Sequence, residues 1–338
     1  MATQAPLASG TAPSPWPTVA AVAALTAIIS VLLIAFAWPS VRSSVHDVPI
    51  AIAGPSAAVE RIAAALDQRQ PNAFDITAVA DTAAAERLIR DRDVYGAIDV
   101  SSGAPQVIIA TAGNTAVAQT LTGVAAGLGQ AQSQGGAPAV AVRDLVALPA
   151  GDPRGAGLSA AALPLVMGGL LTAVLLSRLV RGTARRVAGS LAFAATGGLA
   201  VAAILQFWFG SLSGSYPANA AAIALTIAAT AMTILGLEAV LGVAGLGLGA
   251  VTMMLIGNPL SGTATAPEML PGWTGALGQL LPPGAGGRVL RSTAFFDGHG
   301  AAQSVTVLLA WLALGVILCA ASGLRTHRSA AAAVPAMA

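Results

Sequence analysis

The residues able to do chemistry are few and scattered. Three histidines, His46, His299 and His327, stand far apart, and the single cysteine, Cys319, sits in an apolar run. A structural zinc site gathers about four Cys, His or carboxylate ligands at close spacing, and no such grouping can be drawn. Asp91 and Asp93 flank Arg92 in the triplet DRD, which reads as a solvated helix end and not as an acid–base pair. There is no GxSxG elbow and no HExxH helix. All sixteen basic residues are Arg, and without a Lys no GxxxxGK[ST] phosphate loop can be built. Catalytic residues, metal ligands and cofactors are therefore all assigned as none. A lone cysteine makes no disulfide framework, and Cys319 reads as a small buried hydrophobe.

The elements that would position any site are membrane elements. Of 338 residues, 56% are hydrophobic and 9% charged, with a mean hydropathy of +0.77. A soluble domain carries about 25% charged residues, so a water-facing surface of this size is excluded. The expected fold is an α-helical polytopic membrane protein with six spans and an inserted extracytoplasmic α/β domain. The spans fall at residues 17–38, Leu158–Val180, Val187–Gly210, Ala218–Leu237, Ala239–Ile256 and Ser304–Gly323, each near the ~20 residues a bilayer requires. AFA before Trp38 resembles a signal-peptidase site, but no basic residue precedes the long apolar run, so the first span is expected to stay attached. Only Glu238 separates the fourth and fifth spans, which calls for a tight turn there with Glu238 as an interfacial charge. The resulting divisions are an N-terminal tail (1–16), the first span (17–38), the external domain (43–157), spans two to five (158–257), a Pro–Gly-rich external or re-entrant segment (258–303), the sixth span (304–323) and a C-terminal tail (324–338).

Arginine placement sets the orientation. Arg178, Arg181, Arg185 and Arg186 crowd the second-to-third connection, Arg325 and Arg328 lie in the tail, and the loop from Ser211 to Pro217 has none. Both basic segments are expected in the cytoplasm, which makes this a multi-pass plasma-membrane protein with both termini inside. Arg178, Arg181 and Arg185 recur at i, i+3 and i+7. A continued helix would present them together with Arg186 beside them, as a docking face for an acidic partner. The net charge of +2 carries no nucleic-acid footprint, because the Arg residues are scattered or cytoplasmic.

Residues 43–157 have a globular composition, with eleven acidic residues and seven Arg. Strands are expected at Val48–Gly54, Phe74–Ala80, YGAIDV, QVIIATAG and Val140–Leu148. Helices are expected around Val59, Ile62, Ala63 and Leu66, from Thr82 to Arg92 with Asp81 as N-cap, and from Asn114 to about Gly129. GQAQSQGGAP, from Gly129, would be a loop. Within the spans, Gly245 and Gly249 form a GxxxG pair suited to close helix packing.

One stretch breaks the apolar pattern. It reads GNPLSG, then a Pro–Glu pair, LPGW, LLPPGAGGRVLRS and AFFDG, from Gly257 to Gly298. This resembles the membrane proteins related to the phage infection protein (the YhgE/Pip group) and, more broadly, the type-2 permeases of ABC exporters. The residues that carry the likeness are Asn258, Pro259, Ser261, Gly262, Pro271, Pro282, Pro283, Arg288, Arg291 and Phe296; the external domain is short for that group. The resemblance implies a permease-like export subunit whose energy comes from a separate ATP-binding subunit docked near Arg181, Arg185 and Arg186. Its partners would be the lipid bilayer, that subunit and a second copy of the chain. A non-transporting envelope protein whose external domain binds a partner is the alternative. The prolines cannot continue helices, so the stretch is expected to form a shaped lid over the bundle. Trp273, Phe295 and Phe296 would be headgroup anchors, and Arg288 and Arg291, three apart, would share a face toward lipid phosphates or acidic partners.

Overall fold

The computed structural model describes residues 16–133 and 140–332, with side chains described up to 130 and from 140 to 323. Helix α1 (Trp16–Val41) is apolar and exposed along almost its whole length, as a helix surrounded by lipid would be. The chain then enters a small α/β domain. Its elements are β1 (Val48–Ala53), α2 (Ser56–Arg69), β2 (Phe74–Val79), α3 (Thr82–Asp91), β3 (Gly96–Asp99), β4 (Gln106–Ile109), α4 (Thr115–Ser133) and β5 (Ala141–Asp144). The sheet order is β2-β1-β3-β4-β5, with β4 antiparallel to β3 and the other pairs parallel. Strand side chains alternate between faces, so Val48, Ile50 and Ile52 pack toward α2 and α4, while Ala51 and Ala53 face α3. Asp81 caps α3 by accepting from the Ala84 amide at 2.7 Å, and the Asn114 side chain does the same for α4 through Ala116 and Val117. α4 runs past Gly129 to Ser133, so the first half of the expected loop is helix; residues 134–139 lie outside the described residues.

Four more long apolar helices build the bundle, giving five of membrane-crossing length among the described residues. α5 (Ala156–Leu179) is capped by Asp152, whose carboxylate accepts from Ala156 and Gly157. α6 (Thr183–Ala203) is prolonged by a π turn, Ile204–Trp208. α7 (Tyr216–Leu241) is the central helix and the most buried of them. It is followed by α8 (Val243–Ala250), which continues as a π turn, Val251–Gly257, by two short helices, α9 (Thr274–Gln279) and α10 (Pro282–Phe295), and by α11 (Ala302–Ala332). Helices in lipid gain little from hydrophobicity alone and rely on close packing of small residues. Gly236 of α7 and Gly315 of α11 lie so close that a Cβ on either would strike the other helix's backbone.

The expected fifth span is not a full helix. The turn falls at Gly242, with Glu238 still inside α7. The 8 residues of α8 and 7 of its π turn reach about 22 Å at 1.5 Å per residue, short of the ~30 Å hydrocarbon core. α8 runs antiparallel to α7, with Gly245 against Leu237 and Gly249 against Ile234. It ends at Gly257, which abuts Pro283 in the first turn of α10. α10 then continues toward the same end of the bundle as the α/β domain, with Gly286 on Thr226 and Thr293 hydrogen-bonded to Asn219 of α7. Two short helical pieces, α8 with its π turn and α10, are thus stacked end to end along α7. The 24 residues between them leave the bundle and touch the α/β domain, where Ala266 and Met269 join its core. The Pro–Gly segment is therefore partly inside the bundle and not wholly a lid above it.

Candidate functional site

Two groups of arginine lie at opposite ends of the bundle. At the end away from that domain, Val180 is extended and Gly182 has φ of 92°, so α5 and α6 are separate helices. The single face expected for Arg178, Arg181 and Arg185 does not form. These three side chains are exposed. Arg186 is committed elsewhere: it pairs with Glu238 at 3.2 Å and donates to the Val180 and Ser177 carbonyls at 2.8 and 2.6 Å. It staples the α5–α6 turn to α7 and is not a free docking group.

At the domain end, α3 stops at Arg92, which adopts the left-handed conformation (φ 65°) that closes the helix. Asp91 and Asp93 point to solvent, but Arg92 turns inward. Its Nη1 donates to the Arg288 carbonyl at 3.0 Å and to the Ser292 hydroxyl, and its guanidinium lies 5.1 Å from the centre of the Phe296 ring. Phe296 is 5% exposed and packs into the α/β core beside Ala110 and Ala112. It is a plug between domain and bundle, not a headgroup anchor, because a ring with a protein pocket available gains more by filling it than by lying at the interface. Trp273, by contrast, is exposed.

Arg288 and Arg291 share one face of α10 and turn toward Arg92. Arg291 donates to the Thr263 carbonyl at 3.1 Å. The Arg288 side chain has no hydrogen-bond or ion-pair partner among the described residues, and the Nε atoms of both are buried without one. The three guanidiniums line two adjoining cavities of about 220 and 20 Å³, whose walls also carry Tyr95, Glu268, Ser261 and Gln279. Glu268 accepts from the Tyr95 hydroxyl at 2.9 Å, and among the described residues no carboxylate lies within ion-pair distance of Arg92, Arg288 or Arg291. Burial, then the charges of Arg291 and Arg288, push the Arg92 guanidinium down to about 9 against the pull of Tyr95 and Glu268. Burial and the nearby Glu268 charge push the Tyr95 phenol well up, so its hydroxyl remains a donor.

The other motif residues support this place. Ser261 is buried and its hydroxyl meets that of Thr263 at 2.8 Å. Gly262 (φ 66°) packs on Pro267, and Pro282 and Pro283 occupy the first turn of α10, where proline has no amide to lose. Asn258 and Pro259 continue the end of the π turn, and Pro271 accepts from Thr274. Asn219, fully buried, donates to Gln206 and Ser213 and accepts from Thr293, fixing α10 against α7. His46 is bonded locally to Ser44 and His299 is exposed; the side chains of Arg325, His327 and Arg328 lie outside the described residues. The cavity walls carry no paired nucleophile and base. What the site can do is oppose negative charge. No family model matches the chain, and no curated protein or solved structure matches it either.

Proposed function

We propose that the chain is a permease-like membrane subunit of an export system. It would move a hydrophobic or envelope-associated substrate with energy from a separate ATPase. The observation that carries this reading is the stacked pair of short helical pieces, α8 with its π turn and then α10, read as one crossing in two halves. Broken helices at membrane depth are tolerated only where protein or a wetted cavity satisfies the backbone, and transporters use such breaks at their substrate paths. The likeness of Gly257–Gly298 to type-2 permeases supports the same class. In this reading the end holding Arg178, Arg181 and Arg185 faces the cytoplasm, the α/β domain lies outside, and six crossings place both termini inside. The exposed Arg181 and Arg185 are the docking residues for the ATPase, while Arg186 is structural.

The test is purification of the full chain from its own cells in mild detergent, followed by ATPase assay of what accompanies it. An ATP-hydrolysing subunit should co-purify, its turnover should rise on reconstitution with the chain, and Arg181→Glu with Arg185→Glu should abolish both. Lysine at these positions keeps the charge but loses the planar fork, so it should weaken the coupling and leave insertion intact. If no such subunit associates, or if its turnover ignores the chain, the export reading falls and the non-transporting envelope protein takes its place.

A further inference from the structure

We propose that Arg92, Arg288 and Arg291 form a binding site for a phosphate group, entered from the domain end of the bundle. This goes beyond the export reading and holds equally for a protein that transports nothing.

The first ground is charge. Buried cations are ordinarily paired, yet three guanidiniums here converge from α3 and α10 with no carboxylate of the described residues in ion-pair contact. Two carboxylates line the cavity among the described residues: Glu268, held by the Tyr95 hydroxyl, and the exposed Asp93. The fold keeps this imbalance at a point where it also closes Phe296 into the domain, so the surplus positive charge is built in and not incidental to a flexible surface.

The second ground is unused donors. The Arg288 side chain donates to nothing, and the Nε atoms of Arg288 and Arg291 are buried and unpartnered. Such groups cost free energy unless something accepts from them. The cavity of about 220 Å³ beside Arg92 and Arg288 provides the room, and Arg291 borders the small cavity of about 20 Å³ that adjoins it. The Ser261 hydroxyl stands on the wall of the smaller cavity as a neutral group able to donate.

The third ground decides the chemical class. A carboxylate is planar, singly charged and satisfied by one bidentate guanidinium. Three guanidiniums approaching from two elements fit a tetrahedral oxyanion with three or four acceptor oxygens. Depth then indicates where it comes from. Gly286 sits on Thr226 and Thr293 on Asn219, so Arg288 and Arg291 lie level with residues 221–224 of α7. At 1.5 Å per residue that is roughly 8–12 Å inside the Tyr216 end, the level at which long cationic side chains reach the headgroups. A phospholipid headgroup and a soluble phosphate ester share the recognised chemistry.

The experiment measures thermal unfolding of the detergent-purified full chain against three probes. These are inorganic phosphate, phosphatidylglycerol in mixed micelles, and diacylglycerol as the phosphate-free lipid, each titrated at constant ionic strength. The expected result is saturable stabilisation by phosphate, by phosphatidylglycerol, or by both, and none by diacylglycerol. Stabilisation by phosphatidylglycerol alone assigns the site to lipid; stabilisation by free phosphate assigns it to a soluble ester. Arg288→Gln and, separately, Arg291→Gln should weaken binding by at least about tenfold, while Arg87→Gln, an exposed change in the same domain, should not. Arg288→Gln removes no hydrogen bond present in the unliganded fold, so it is expected to fold even if Arg291→Gln does not. No saturable shift with either phosphate probe, or the same shift in wild type and Arg288→Gln, overturns the proposal.

Discussion

The two arginine groups are made of the same side chain and differ in everything around it. At one end, Arg178, Arg181 and Arg185 are solvated, and Arg186 has a carboxylate and two carbonyls for its fork. At the other, Arg92, Arg288 and Arg291 are drawn together behind Phe296 with donors left over. Exposed charge costs little in folding, because water solvates it. Partly buried charge without a counter-ion opposes folding, so it persists only where a ligand or a mechanical role compensates. What matters is the balance of partners around the arginines, not their number.

The strongest way to break the domain end is Phe296→Ala. Emptying this nearly buried site should cost about 3–5 kcal/mol and loosen the α/β domain from the bundle. The readout is protease cleavage near residues 41–47 and 149–155, faster than in wild type, with a lowered unfolding midpoint. An unchanged midpoint would mean that Phe296 is not the plug.

Asp99 sharpens the comparison from the other side, as a buried charge with a full set of partners. Burial raises its pKa, yet donors from Thr82, Ser101 and Gln106 together hold it below the ordinary 3.8. A depressed carboxylate contributes stability above its unfolded value, and that contribution is lost as pH falls through the folded one. Acid titration of the domain's unfolding midpoint should therefore show a loss beginning near pH 4 and continuing below it, and Asp99→Asn should flatten that part of the curve. A curve identical to wild type would remove Asp99 from the account.

Arg288→Met and Glu238→Gln should act with opposite signs. Replacing Arg288 keeps an apolar stem of similar reach and removes a repelling charge, so the midpoint in phosphate-free detergent should rise. Replacing Glu238 leaves Arg186 with its two carbonyls only and should lower the midpoint, through a loss of up to about 1 kcal/mol in stability that shrinks in high salt. A fall in both variants would mean that the domain-end group is already compensated.

Much of this molecule is legible in residue periodicity. The five strands, the caps at Asp81 and Asn114 and the long apolar helices all follow from local pattern, because each is fixed by near neighbours in the chain. The interruption after α8 is half legible: Pro259, Pro282 and Pro283 announce it, but not that Gly257 meets Pro283 again across 25 intervening residues. Arg92 carries a weaker signal. Ala85, Ile89 and Arg92 recur at i, i+4 and i+7, which places Arg92 on the buried stripe of α3; the acidic neighbours on either side made the triplet look solvated. The sequence makes Phe296 look like an anchor, because the pocket it fills is built by residues some 190 positions earlier, such as Ala110. Contacts across such separations have no local signature.

The account stands or falls on the two arginine groups facing opposite sides of the membrane, with the cavity open to the outside. In a Cys319→Ala background, single cysteines at the exposed positions Asp93, on the cavity rim, and Arg181, at the far turn, can be offered a membrane-impermeant maleimide in intact cells. The account predicts labelling of Asp93→Cys in intact cells and of Arg181→Cys only after the membrane is opened. Labelling of Arg181→Cys in intact cells, with Asp93→Cys protected until opening, would contradict it.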